Sequence, residues 1–229
     1  MGYGSMIVYF LLIMIIPLWA QGRVRGAYSK YSRVANGTGL TGAQVARRIL
    51  DDHGLYDVDI EEVGGMLSDH YDPQAKVLRL SSEIYHGTSI AGTAVAAHEV
   101  GHAIQDKVDY APMRIRHALV PVANLGSGLS WILILAGIFL HLAGLALIGV
   151  IFFGAAVLFQ IVTLPVEFDA SRRALVQLDK LGLVTGDEKS GARKVLSAAA
   201  LTYVAAALVA LMELLRFVLM FVGMNNNED

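Results

Sequence analysis

The sequence predicts a mainly α protein of about four transmembrane helices with a small α+β portion in the cytoplasm. Three observations predict it. Apolar residues make up 55% of the 229-residue chain and charged residues only 17%, a balance that belongs to integral membrane proteins rather than soluble domains. The apolar excess is gathered into runs free of Asp, Glu, Lys and Arg. Lys and Arg are in turn gathered on one side of those runs.

The first run, residues 2–20, reads as transmembrane helix 1. A cleaved secretion signal would place basic residues before its apolar stretch. Here Arg23, Arg25, Lys30 and Arg33 come after it, as expected of a retained anchor with its N-terminus outside. Residues 119–165 contain no charged residue. At about 1.5 Å per helical residue this is roughly twice one bilayer crossing, so it reads as a transmembrane helical hairpin. Transmembrane helix 4 is expected over 195–222, before a polar tail at 223–229. Glu213 and Arg216 interrupt its apolar run three residues apart, a spacing at which they neutralise one another on one helix face. The alternative for this segment is a helix lying in the interface.

Basic residues populate 22–118 and 166–194, the latter through Arg172, Arg173, Lys180, Lys189, Arg193 and Lys194, and are missing from the turn near His141 and from the tail. The positive-inside rule places both basic segments in the cytoplasm. The expected location is therefore the inner (plasma) membrane, multi-pass, with the lipid bilayer as first partner. A net charge of −2 offers no basic patch for neutralising phosphates, so no nucleic-acid partner is expected.

Within 22–118, Thr41 is a plausible N-cap for a helix carrying Val45, Ala46, Ile49 and Leu50, and Gly54 follows where a left-handed residue is expected. Residues 56–81 read as short strands around the turn signal Tyr71-Asp72-Pro73-Gln74. The strand near Lys76 to Leu80 is expected to offer an unpaired edge to an extended substrate. A helix from about Ser89 to Asp106 follows, with Pro112 marking a break beyond it. A further cytoplasmic helix is expected over 166–194.

The chemistry lies in the helix of residues 89–106. Ala97-His98-Glu99-Val100-Gly101-His102 puts two imidazoles at i and i+4, so both project from one face and can share a zinc ion. Glu99 stands about 100° around the helix, beside the metal rather than on it, where a general base takes a proton from an activated water. The plain alternative is a pair of surface histidines on an ordinary helix. The chain has no cysteine, so any metal must be held by His, Asp or Glu, and catalytic zinc usually takes three such ligands. No third histidine follows at the metzincin spacing. The best third candidate is Glu167 in Leu164-Pro165-Val166-Glu167-Phe168-Asp169-Ala170-Ser171, against the reading of a solvated charge at a membrane boundary.

The runs Leu67-Ser68-Asp69-His70-Tyr71-Asp72-Pro73, Val77-Leu78-Arg79-Leu80-Ser81, Ala97 through Gln105 and Pro165 through Arg173 resemble the YugP-type neutral zinc metallopeptidase family of bacterial membranes. The likeness extends over essentially the whole chain. It implies a zincin-like, gluzincin-type cytoplasmic portion, one Zn2+ per chain held by His98, His102 and Glu167, and Glu99 as base. Where the wider clan has Asp four residues after the ligand, this chain has Ser171. Support of a ligand histidine must then come from Ser171, Asp169 or elsewhere.

The expected function is that of a membrane-embedded zinc endopeptidase acting on membrane-associated proteins or peptides. Glu167 follows the third span almost at once, which places the metal near the headgroup layer. Candidate donors to the reaction's oxyanion are His70, Tyr71, Arg172 and Arg173. His53, His86, His117 and His141 read as helix-end, loop or interfacial residues. The alternative function is a non-proteolytic membrane scaffold or assembly factor with a structural zinc site. A second membrane protein or a second copy of the chain stays open as partner.

Overall fold

The computed structural model describes residues 3–65 and 68–225. Gly2, Leu67 and the tail from residue 226 on, all named above, lie outside the described residues. The elements run α1 (Tyr3–Tyr31), α2 (Gly42–Asp52), β1 (Asp59–Val63), β2 (His70–Asp72), β3 (Val77–Ser81), α3 (Ser82–His86), α4 (Ile90–Lys107), α5 (Ala111–Phe139), α6 (Ala143–Lys180) and α7 (Asp187–Asn225). They divide into two compact units, one of residues 1–19, 111–165 and 203–229, the other of 20–110 and 166–202.

The first unit is helical. Among the described residues, α1, α5, α6 and α7 are long and apolar enough to cross a membrane, in agreement with the expected number of spans. Its hairpin closes tightly because Gly137 on α5 has no side chain. A Cβ there would stand 2.4 Å from the backbone nitrogen of Ala146 on α6, and small residues let membrane helices approach this closely. Ile134, Val150, Phe153, Val157 and Phe217 form a buried cluster. In it the Phe153 and Phe217 rings meet edge to face at 5.2 Å, and Trp131 joins Phe217 at 4.9 Å. Arg216 pairs with Glu213 at 3.0 Å and lies over the Tyr9 and Phe217 rings, a cation–π arrangement that suits a guanidinium in apolar surroundings.

The second unit is the α+β portion. Thr41 caps α2 as expected, accepting from Gln44 N while the Gln44 side chain accepts from Thr41 N. Gly54 has the expected positive φ of 61°. Val45, Ala46, Ile49 and Leu50 are fully buried on the face of α2 that packs against α4. The sheet has the order β1-β3-β2, with β1 parallel and β2 antiparallel to β3.

Two expectations are corrected. The strand near Lys76 to Leu80 offers no free edge: β3 is the central strand, bonded to β1 from Asp59↔Val77 to Val63↔Ser81 and to β2 from His70↔Arg79 to Asp72↔Val77. Its near-continuous apolar run, buried at Val77, Leu78 and Leu80, marks a strand covered on both faces rather than an edge. Nor is 166–194 one helix. It comprises the end of α6, a turn and the start of α7. Helix α6 continues through Pro165, and the break falls where Gly182 and Gly186 take φ of 62° and 48°, backbone angles that glycine adopts without steric cost.

Candidate metal centre

Helices α4 and α6 build the site within the second unit. Helix α4 starts at Ser89, whose hydroxyl accepts from Gly92 N, and it is buried along most of its length. It crosses α6 at Gly101. A Cβ on Gly101 would lie 2.6 Å from the carbonyl oxygen of Ala170, so the approach of the two helices depends on the missing side chain. The small residue between the histidines therefore admits the neighbouring helix, and with it Glu167.

His98 Nε2 lies 3.2 Å and His102 Nε2 3.7 Å from Glu167 Oε2. One ligating atom from each of these residues lies within 4.8 Å of the others. Four-coordinate zinc with bonds of about 2.0–2.2 Å sets neighbouring ligand atoms roughly 3.4 Å apart. The donor types also fit, since two imidazole nitrogens and one carboxylate form a common catalytic set. Both Nε2 atoms face Glu167, while both Nδ1 atoms are engaged elsewhere. His98 Nδ1 lies 3.1 Å from Ser171 Oγ, and His102 Nδ1 lies 3.0 Å from Gln105 Oε1. The residues present can hold a zinc ion.

Burial alone would lower the pKa of His102. The hydrogen bond to Glu167 and the negative charges of Glu99 and Glu167 outweigh it and raise the value above the ordinary histidine range. Glu99 is buried beside the same histidine.

The structure brings His98, His102 and Glu167 together and holds the other expected participants in different bonds. Tyr71 is buried and its hydroxyl donates to Asp106 Oδ2 at 2.9 Å. Burial first, and the Asp106 carboxylate second, raise its pKa. Asp106 also receives the Lys76 ammonium. His70 is exposed, with Nδ1 2.7 Å from Ser68 O. Arg172 and Arg173 both pair with Asp169. Of the remaining histidines, His53 Nδ1 sits 3.0 Å from Ile49 O at the end of α2, and His86 faces Glu62.

Sequence reasoning missed Gln105. It is fully buried, and its amide nitrogen donates to Val166 O at 2.8 Å and to Asp169 Oδ2 at 2.9 Å. A signal was available, because Gln105 stands three residues after His102 and so on the same helix face. The departure noted at Ser171 is resolved as well. Ser171 reaches His98, and Asp169 reaches His102 through Gln105.

Residues 6–222 match the family described as "Putative neutral zinc metallopeptidase". The chain is 51% identical over 220 residues to "Putative membrane protease YugP" of Bacillus subtilis (strain 168), an alignment covering 95% of this chain and 98% of that protein. No solved structure matches.

Proposed function

The chain belongs to this neutral zinc metallopeptidase family, and from that premise we propose that it is a zinc-dependent endopeptidase that hydrolyses peptide bonds of membrane-associated proteins or peptides at the cytoplasmic face of the plasma membrane. The observation that carries the reading is the convergence of His98, His102 and Glu167 within 4.8 Å, from two helices and with His98 and Glu167 69 residues apart in sequence. These three residues hold one zinc ion per chain, the histidines through Nε2. Bound zinc supplies Lewis acidity, which polarises a peptide carbonyl and acidifies water.

The other work falls to side chains. Glu99, adjacent in sequence to a ligand and buried beside His102, takes a proton from the attacking water as the new C–O bond forms and delivers it to the leaving nitrogen as the C–N bond then breaks. Ser171 and Gln105 hold the imidazole rings in the orientation that ligation needs. Tyr71 and His70 remain the proposed donors to the oxyanion, and Tyr71 can act so only by releasing Asp106. The cytoplasmic placement rests on the basic residues of 22–118 and 166–194.

The test is metal analysis of the purified wild type, Glu99→Gln and Glu167→Ala proteins, together with cleavage of an unstructured membrane-tethered substrate. Metal retained with cleavage lost in Glu99→Gln, and metal lost in Glu167→Ala, is the expected result. Full cellular function in Glu99→Gln combined with its loss in His98→Ala would instead favour a scaffold that keeps a structural zinc.

A further inference from the structure

Gln105 is a side chain whose hydrogen-bonding directions are all determined by its surroundings. Its amide nitrogen, the donor end, meets two groups that can only accept, the Val166 carbonyl and the Asp169 carboxylate. Asp169 is itself held ionised by two guanidiniums, from Arg172 and Arg173. Turning the amide over would set its oxygen against two oxygens in a fully buried position, at the full cost of unpaired buried polar groups. The amide oxygen therefore faces His102. An oxygen that can only accept requires a proton on the partner atom 3.0 Å away, His102 Nδ1.

We infer that Gln105 is a positioning residue that holds a proton on His102 Nδ1, so that Nε2, the atom that faces Glu167, is the one left to ligate a zinc ion. The lock is anchored across the helix crossing: Gln105 lies on α4, and both of its acceptors lie on α6, the helix that also supplies Glu167. One amide thus fixes the tautomer of one ligand and ties that ligand's helix to the helix of another. His98 has a different arrangement, a hydroxyl from Ser171. A hydroxyl both donates and accepts, so it does not dictate a tautomer. The two histidines are accordingly unequal, with His102 fixed before metal arrives.

This inference rests on the ligand set proposed above, and its test separates the two. Zinc dissociation constants are measured by chelator competition on purified wild type, Gln105→Met and Glu167→Gln, alongside the thermal stability of each metal-free protein. Gln105→Met keeps the side-chain length and removes both polar ends. The expected result is zinc affinity about 10- to 100-fold weaker, the range found when the hydrogen-bond partners of ligand histidines are removed, with the helical content of the metal-free protein kept. Imidazole nitrogen resonances of the wild type provide a readout that does not depend on the variant folding. His102 should show a slowly exchanging proton on Nδ1 both with and without zinc. Zinc affinity in Gln105→Met within twofold of wild type, or a wild-type His102 whose Nδ1 carries no proton, overturns the inference while the ligand set stands. Wild-type protein that binds no zinc, or Glu167→Gln that binds it undiminished, overturns the ligand set itself.

Discussion

Each unit buries a carboxylate against cations or potential cations, and the two solve that problem differently. In the helical unit, Glu213 is paired with Arg216 from the same turn of the same helix. A guanidinium is a permanent cation, and the pair neutralises itself within one turn of one helix. In the α+β unit, Glu167 faces two imidazoles from another helix, side chains that, unlike a guanidinium, have a neutral form able to ligate a metal. When both imidazoles are neutral, three lone-pair donors converge on one point with no fixed cation among them. A local ion pair makes a carboxylate tolerable in apolar surroundings, whereas a non-local cluster of a carboxylate and two imidazoles is one that a metal ion can complete.

The largest effect that would break this contrast is expected from Glu167→Ala. Loss of one of three ligands should take bound zinc from about one per chain to near none by metal analysis, with cleavage falling to background. Glu99→Gln should leave zinc bound and lower the cleavage rate by about 10²- to 10⁴-fold, the share general-base catalysis usually supplies. Gly101→Ala sharpens the comparison through geometry instead of chemistry. Its Cβ meets the Ala170 carbonyl at 2.6 Å, so α4 and α6 must move apart, at a cost of about 1–3 kcal/mol in thermal or denaturant unfolding and with weaker zinc binding. The smallest effect is expected from the double variant Glu213→Gln with Arg216→Gln, which removes the self-contained pair. Zinc content and affinity should match wild type, and a loss of zinc there would show that the two arrangements are not independent.

Much of the fold could be read from residue order because its causes are local. Charge-free runs identify helices that can cross a membrane wherever they occur. The Thr41 cap needs only Gln44, and the approach of His98 to His102 needs only one helical turn. The errors fell where a neighbour decides. Val77, Leu78 and Leu80 suit an edge or a central strand until the strands on either side are known. Charge resumes after residue 165, where the sequence ends its hairpin, yet α6 runs on through Pro165 to Lys180. The pairing of Arg172 and Arg173 with Asp169, three and four residues earlier on the same helix, was likewise not read from the sequence.

By itself the sequence determined that this is a membrane chain and that two histidines and a glutamate share one helical segment, since hydropathy and helix periodicity act within a few residues. Only the tertiary structure decided that Glu167 completes the cluster, that Gln105 orients His102, and that Gly101 lets the two helices meet. The contacts behind them, His98 with Glu167, Gln105 with Val166 and Asp169, and Gly101 with Ala170, join residues some 60 to 70 positions apart. Periodicity along one helix cannot specify which residue of another it will touch, because that choice is made by the packing of the whole unit.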